Sequence, residues 1–263
     1  MDTFVIFSCQ YGGMNCKTSS FYCAIFLISC QCLGNVFAKE ITFSSQASRV
    51  SLIELYTSEG CSSCPPADKW LGKFQENKLL WEKIVPVAFH VDYWDYSGWK
   101  DKFSDKRFAQ RQYHYKNMNF VSAVYTPGVM KNGREWRGWR WWQSPKSKVS
   151  DKPGKLTAKL DEQSLSVAFQ NLQNAQSSYI LNVALLGMDI TSHVKSGENS
   201  GETFEHDFVV LDFQQFRQAD KNNALWNIDN PISRTDNKTR AIAIWINQQD
   251  DPTPVQAAGA WLN

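Results

Sequence analysis

Thr57-Ser58-Glu59-Gly60-Cys61-Ser62-Ser63-Cys64-Pro65-Pro66-Ala67-Asp68 places two cysteines, two residues apart, between two kinds of pattern. Before it, Ser51-Leu52-Ile53-Glu54-Leu55-Tyr56 is short and mostly apolar, as a buried strand is. After it, Trp70, Leu71 and Phe74 recur at helical spacing, and Pro65 suits a first helical turn. The pair therefore falls where a strand turns into a helix. Unpaired N–H groups and the partial positive charge of a helix start stabilise a thiolate. Cysteines so placed drop from about 8.5 to roughly 3.5–7.5 in pKa. Cys61, one turn ahead of the helix, is expected as the exposed nucleophile, and Cys64 as its buried resolving partner.

Other uses of the same pair stay open. A structural disulfide needs nothing more than these two residues. Zinc would need two further ligands, and the chain after its leader offers no other cysteine and only scattered histidines. A copper carrier could combine both thiolates with His90.

Cysteine usage bears on compartment. Five of the seven cysteines lie in the first 32 residues, around the apolar run Phe21–Cys30, which is too short for a comfortable span. Lys17 precedes that run, and Val36-Phe37-Ala38 follows it as a small-residue cleavage signal. Residues 1–38 read as a signal peptide, and the expected protein is exported, periplasmic or secreted after cleavage near Ala38. No later apolar run is long enough to span a bilayer. The net charge of +2 selects no partner, and the apolar fraction of 43% is that of an ordinary globular chain.

Further on, Ile84–Tyr93 reads as a second apolar strand, parallel to the first because a helix lies between them. Trp94-Asp95-Tyr96-Ser97-Gly98-Trp99 leaves its carboxyl end as an aromatic loop, where α/β sheets bind ligands. A second helix is expected over 104–117, capped by Ser104, with Phe108, Arg111, Gln112 and Tyr115 on one face. Val124–Met130 leads into Asn132-Gly133, a type I′ hairpin signal.

This order resembles thioredoxin, in which a cis Thr-Pro peptide faces the dithiol and pairs with extended substrate. The resemblance assigns substrate binding to Thr126 and Pro127, with Trp94 in the adjoining loop. Glu54 lies one residue off the register of thioredoxin's buried proton-relay carboxylate. It is read either as such a relay or as an outward, solvated acid, since an inward unpaired carboxylate is costly. Glu54–Asp68, together with His90–Asp95, Gly98-Trp99, Tyr125–Pro127 and Gly197-Glu198-Asn199, resembles the exported thioredoxin-like family called domain of unknown function 1223. That resemblance implies fold and compartment.

One departure from thioredoxin is the want of a clear covering helix after the hairpin, where Trp139-Arg140-Trp141-Trp142 stands instead. From Lys131 to Lys155 eight basic residues meet two acids, which reads as a solvated strand edge and not as a nucleic-acid surface. After a polar linker at 150–155, Lys155–Leu160 and Ser164–Gln170 alternate as a hairpin. Tyr179–Leu186, Thr203–Phe213, Thr239–Asn247 and Gln256–Leu262 add four strand-like runs. His193 and His206 stand too far from other ligand types to read as more than hydrogen-bonded or surface residues.

The expectation is a signal peptide (1–38), an α/β thioredoxin-like domain (39–149) and an antiparallel β-rich domain (150–263), for which a sandwich is one form. The expected activity is thiol–disulfide exchange by Cys61 and Cys64 on a protein or small-molecule thiol or disulfide, with no cofactor, metal or nucleic acid. The alternative is a non-catalytic binding or copper-carrier module.

Overall fold

The described residues open with β1 (Ile41–Ser44) and β2 (Ser51–Thr57), turn through the cysteines into α1 (Pro65–Gly72), and return as β3 (Ile84–His90). A computed structural model describes residues 40–141, 143, 151–172, 177–218, 224–234 and 239–262. The expected leader, with its five cysteines, lies outside these residues, as do Trp142 and Ser150 at the start of the expected linker. β2 and β3 are buried along their whole length and pair in parallel, Glu54 opposite Val87 and Thr57 opposite His90. α2 follows (Lys106–Asn117), capped by Asp105 and not by Ser104. β4 (Gly128–Lys131) and β5 (Arg134–Glu135) form the expected hairpin. Both of its turn residues carry positive φ, 49° at Asn132 and 75° at Gly133, as a type I′ turn requires.

The remaining strands are β6 (Gly154–Leu160), β7 (Ser164–Asn171), β8 (Tyr179–Gly187), β9 (Ile190–His193), β10 (Thr203–His206), β11 (Val209–Arg217), β12 (Leu225–Asp229), β13 (Thr239–Gln248) and β14 (Asp251–Trp261). The run expected as one strand over 203–213 is broken at Phe208, whose φ is 57°. β10 therefore pairs with β9, while β11 enters a different sheet.

An α/β thioredoxin-like domain followed by a β domain is not what these elements build. Among the described residues 45% are strand and 18% helical. One mixed sheet of eight strands runs β14-β13-β8-β11-β3-β2-β4-β5, and an antiparallel sheet runs β1-β6-β7-β12. Strands from both sides of residue 150 thus share both sheets, and the described residues form one compact unit. The join is made where β11 meets β3 in parallel, Val209 opposite Ala88, with the Ala88 N–H donating to the Phe208 carbonyl at 2.8 Å. An edge that an isolated α/β half would leave open is thereby paired.

β8 and β13 are covered on both faces. Leu181, Val183, Leu185, Ile242, Ile244 and Ile246 pack against β6 and β7 through Leu156, Ala158, Leu165 and Val167. Ala184, Leu186, Ala241, Ala243 and Trp245 face the core shared with the helices. After the β5 strand the described residues form a 3₁₀ turn, Gly138–Trp141, and no covering helix. Trp139 is buried there, and Trp136 packs 5.6 Å from Trp70 of α1. Among the described residues no helix is long and apolar enough to cross a membrane.

Candidate functional site

Cys61 and Cys64 are joined as a disulfide, with 5.4 Å between their Cα atoms. The Cys61 N–H donates to Ser58 and the Cys64 N–H to Cys61, which coils the turn tightly. Cys64 is the N-cap of α1, Pro65 and Pro66 open the helix, and the N–H groups of Ala67 and Asp68 return to the Cys64 carbonyl. The sequence places Cys61 at the surface; the structure buries it, at 0% exposure against 1% for Cys64. The loop at 94–97 packs against the neighbouring Gly60. A Cβ at Gly60 would come within 3.2 Å of both Trp94 Cβ and Ser97 Oγ, so the aromatic loop lies directly on the cysteine turn. Ser62 and Ser63 remain exposed.

The expected substrate-binding residues adjoin this contact. Trp94 Nε1 donates to Thr126 Oγ1 at 2.7 Å. The Thr126–Pro127 peptide is cis, with Thr126 half-buried and Pro127 buried. Gly60, Trp94 and Thr126 thus link the cysteine turn to the Thr-Pro loop.

Behind the turn lies a buried polar cluster that the sequence did not announce. His90 Nδ1 is 2.6 Å from Asp101 Oδ2, and both side chains are fully buried. Asp101 also accepts from the N–H groups of Glu59 and Phe103. Glu59, 1% exposed, accepts from Trp99 Nε1 at 2.7 Å and meets His206 Nε2 at 3.2 Å. The other nitrogen of His206, Nδ1, is 3.4 Å from Asp68 Oδ2 on α1, an ion-pair distance without hydrogen-bond geometry. Burial alone would raise the Glu59 and Asp101 carboxyls. The donors around them outweigh it and hold both below the usual carboxylate range: His206, Ser192 and Trp99 for Glu59, and His90 with two backbone N–H groups for Asp101. Burial alone would lower His206, but Asp68 and Glu59 push it up to about 10.

His206, read from sequence as unremarkable, is therefore central to this cluster. Its partners are 138 to 147 residues away, so spacing along the chain carries no trace of them. The one available signal is the acid-rich makeup of the cysteine turn and the loop after His90, with Glu59, Asp68, Asp92, Asp95 and Asp101. The Gly197–Asn199 loop joins the same place. Asn199 Nδ2 donates to the Glu59 carbonyl at 2.8 Å, and a Cβ at Gly197 would meet Trp99 Cβ at 3.2 Å. His193 is exposed and bonds Thr203 Oγ1.

Glu54 is inward and fully buried, neither solvated nor unpaired. Arg111 donates to it from Nε at 2.8 Å and Nη2 at 3.2 Å, Tyr56 at 2.9 Å and Tyr115 at 2.7 Å. Burial first, and Glu54 beside them, push both phenols well above their ordinary range. Burial would lower Arg111, yet Glu54 holds it firmly charged. Thr57, three residues on, meets Asp68 instead. Alternation along β2 puts Glu54 and Thr57 on opposite faces of the sheet. The described partners of Glu54 thus belong to α2 and its core, not to the cysteine turn.

The chain belongs to the family described as Protein of unknown function (DUF1223), which matches residues 52–247. No curated protein matches it. Among solved structures it is similar to Protein AGR_C_4864 from Agrobacterium tumefaciens, at 25% identity and a TM-score of 0.60, over 83% of this chain and 96% of that one. HBP35 of Porphyromonas gingivalis has a similar fold, at 11% identity and a TM-score of 0.52, over 82% of this chain and 76% of that one.

Proposed function

We propose that this protein catalyses thiol–disulfide exchange at Cys61 and Cys64, in an exported setting, after cleavage near Ala38. The observation that carries the reading is the disulfide across the two-residue turn that caps α1, with a buried histidine–carboxylate cluster around Glu59 behind it. The helix start favours a thiolate on whichever sulfur is released.

In the oxidative direction a substrate thiolate attacks Cys61 Sγ. The Cys61–Cys64 bond breaks, and Cys64 leaves as a thiolate. A second substrate thiolate then attacks the substrate sulfur of the mixed disulfide and frees Cys61. The substrate loses two electrons and two protons, and the protein disulfide becomes a dithiol. In the reverse direction Cys61 attacks a substrate disulfide and Cys64 resolves the adduct. Because both sulfurs are buried, each step requires the exposed Ser62-Ser63 segment to yield. Trp94, Thr126 and Pro127 then border the entering chain. Substrates of either kind, protein or small molecule, fit this chemistry.

The test is the reduction potential, read by thiol counting after equilibration in redox buffers. A catalytic pair gives one two-electron transition between about −270 and −120 mV. A value below about −300 mV would mark a structural disulfide and reject the reading.

A further inference from the structure

We propose that Asp68, His90 and His206 form a site for a divalent transition metal of the zinc class, behind the cysteine turn and without sulfur ligands. One donor atom from each of the three lies within 4.8 Å of the others. His206 Nδ1 and Asp68 Oδ2 are already 3.4 Å apart. That separation suits two donors each about 2.0–2.1 Å from one tetrahedral zinc. The third donor, from His90, starts within 4.8 Å of the other two and would move inward to close the set.

Two further features point to a ligand. His90 Nε2 is fully buried and has no hydrogen-bond partner, and His206 Nδ1 faces Asp68 alone. A buried imidazole nitrogen left in that state is costly unless something occupies it. Moreover, each histidine has its other nitrogen held by a buried carboxylate, His90 by Asp101 and His206 by Glu59. Those carboxylates are themselves fixed, Asp101 by two backbone N–H groups and Glu59 by Trp99. Carboxylate–histidine pairs of this kind orient imidazoles for metal and raise their basicity.

Charge agrees. Three carboxylates, from Asp68, Glu59 and Asp101, surround two imidazoles, an excess of negative charge that a dication offsets. Thr57 Oγ1 supports Asp68 at 3.4 Å, as an outer partner would. Access is available too. Asp68, the least buried of the three, lines a cleft of about 580 Å³ together with Phe204, Glu205 and Asp207. Two imidazoles and a carboxylate, with no thiolate, suit zinc and its neighbours better than copper(I). The site does not depend on thiol exchange, since neither cysteine is a ligand.

The experiment uses the oxidised protein, stripped with chelator and titrated with Zn²⁺ against a chromophoric competitor. One equivalent should bind, and His90→Ala or Asp68→Asn should weaken binding at least 100-fold. Asp101→Asn should weaken it about 10–100-fold. A Cys61→Ser/Cys64→Ser double variant should bind as the parent does. Less than one equivalent in the parent, unchanged affinity in folded His90→Ala and Asp68→Asn, or loss of binding in the double cysteine variant would each overturn the proposal. Co²⁺ gives a reading free of variants. Visible d–d bands without sulfur-to-cobalt charge transfer support the site, whereas a charge-transfer band, or no d–d bands at all, overturns it.

Discussion

At the scale of single residues, the largest commitment in the core is Glu54 with Arg111. The pair is buried, bidentate and bordered by two tyrosine hydroxyls, and Arg111 lies over the rings of Phe89, Tyr115, Phe213 and Trp245. Removing one partner leaves the other charge stranded, which costs about 3–5 kcal/mol. Glu54→Ala should lower unfolding stability by that amount in urea titrations. A Glu54→Leu/Arg111→Met double variant should cost clearly less than the sum of the two single changes. Additive losses would mean that the pair is not coupled. The sequence brought Phe108, Arg111, Gln112 and Tyr115 to one helix face correctly, but left Glu54 open. Choosing between relay, solvated acid and ion pair required knowing that α2 lies over that face of β2, a non-local fact. Cys61 was misplaced for a similar reason: the turn that holds it lies against the loop at 94–97, more than thirty residues on.

Among the elements, short-range chemistry was the most legible. Asn132-Gly133 specified its turn, and Asp161 fixed the β6–β7 hairpin by accepting from the N–H groups of Gln163 and Ser164. The α2 cap was off by one residue. Ser104 Oγ donates to Asp95, leaving Asp105 to accept from the Arg107 N–H at 2.8 Å. Asp105→Ala should cost about 1 kcal/mol, the worth of a cap. Burial alone would raise the Asp105 carboxyl, but bonds from Arg107 hold it lowered. A depressed acid stabilises the folded state above its unfolded pKa, about 3.9. The difference between parent and Asp105→Ala should therefore be full at pH 6 and shrink as the pH falls below about 4. A difference that grows in acid would contradict the cap. The strand β13 carried a signal that the two-domain reading passed over. Ala241-Ile242-Ala243-Ile244-Trp245-Ile246 has no polar alternation, which marks a strand covered on both faces and not one side of a separate sandwich.

For the molecule as a whole, the two halves of the chain complete each other. β11 and β8 extend the sheet from β3, β1 joins the later strands, and Asn199 and His206 reach back to the cysteine turn. Residues 40–149 alone should therefore fail to give a cooperative thermal transition, because β3 would lose its neighbour and the apolar faces their cover. Cooperative melting of that fragment would restore an independent first domain. Such long-range pairing has no signature in local periodicity, which is why the long apolar strands were readable while β1, β9, β12 and the sheet membership of all of them were not. The same convergence sets the site, since both the loop at 94–99 and the loop at 197–199 press on the turn that holds Cys61. Exchange through that turn is most directly tested by expressing Cys64→Ser and Cys61→Ser as full chains and resolving them on non-reducing gels. Cys64→Ser should trap mixed disulfides that collapse on adding thiol, because Cys61 still attacks and nothing resolves the adduct, while Cys61→Ser should trap none. Absence of adducts in both variants, with each still folded, would contradict the exchange reading.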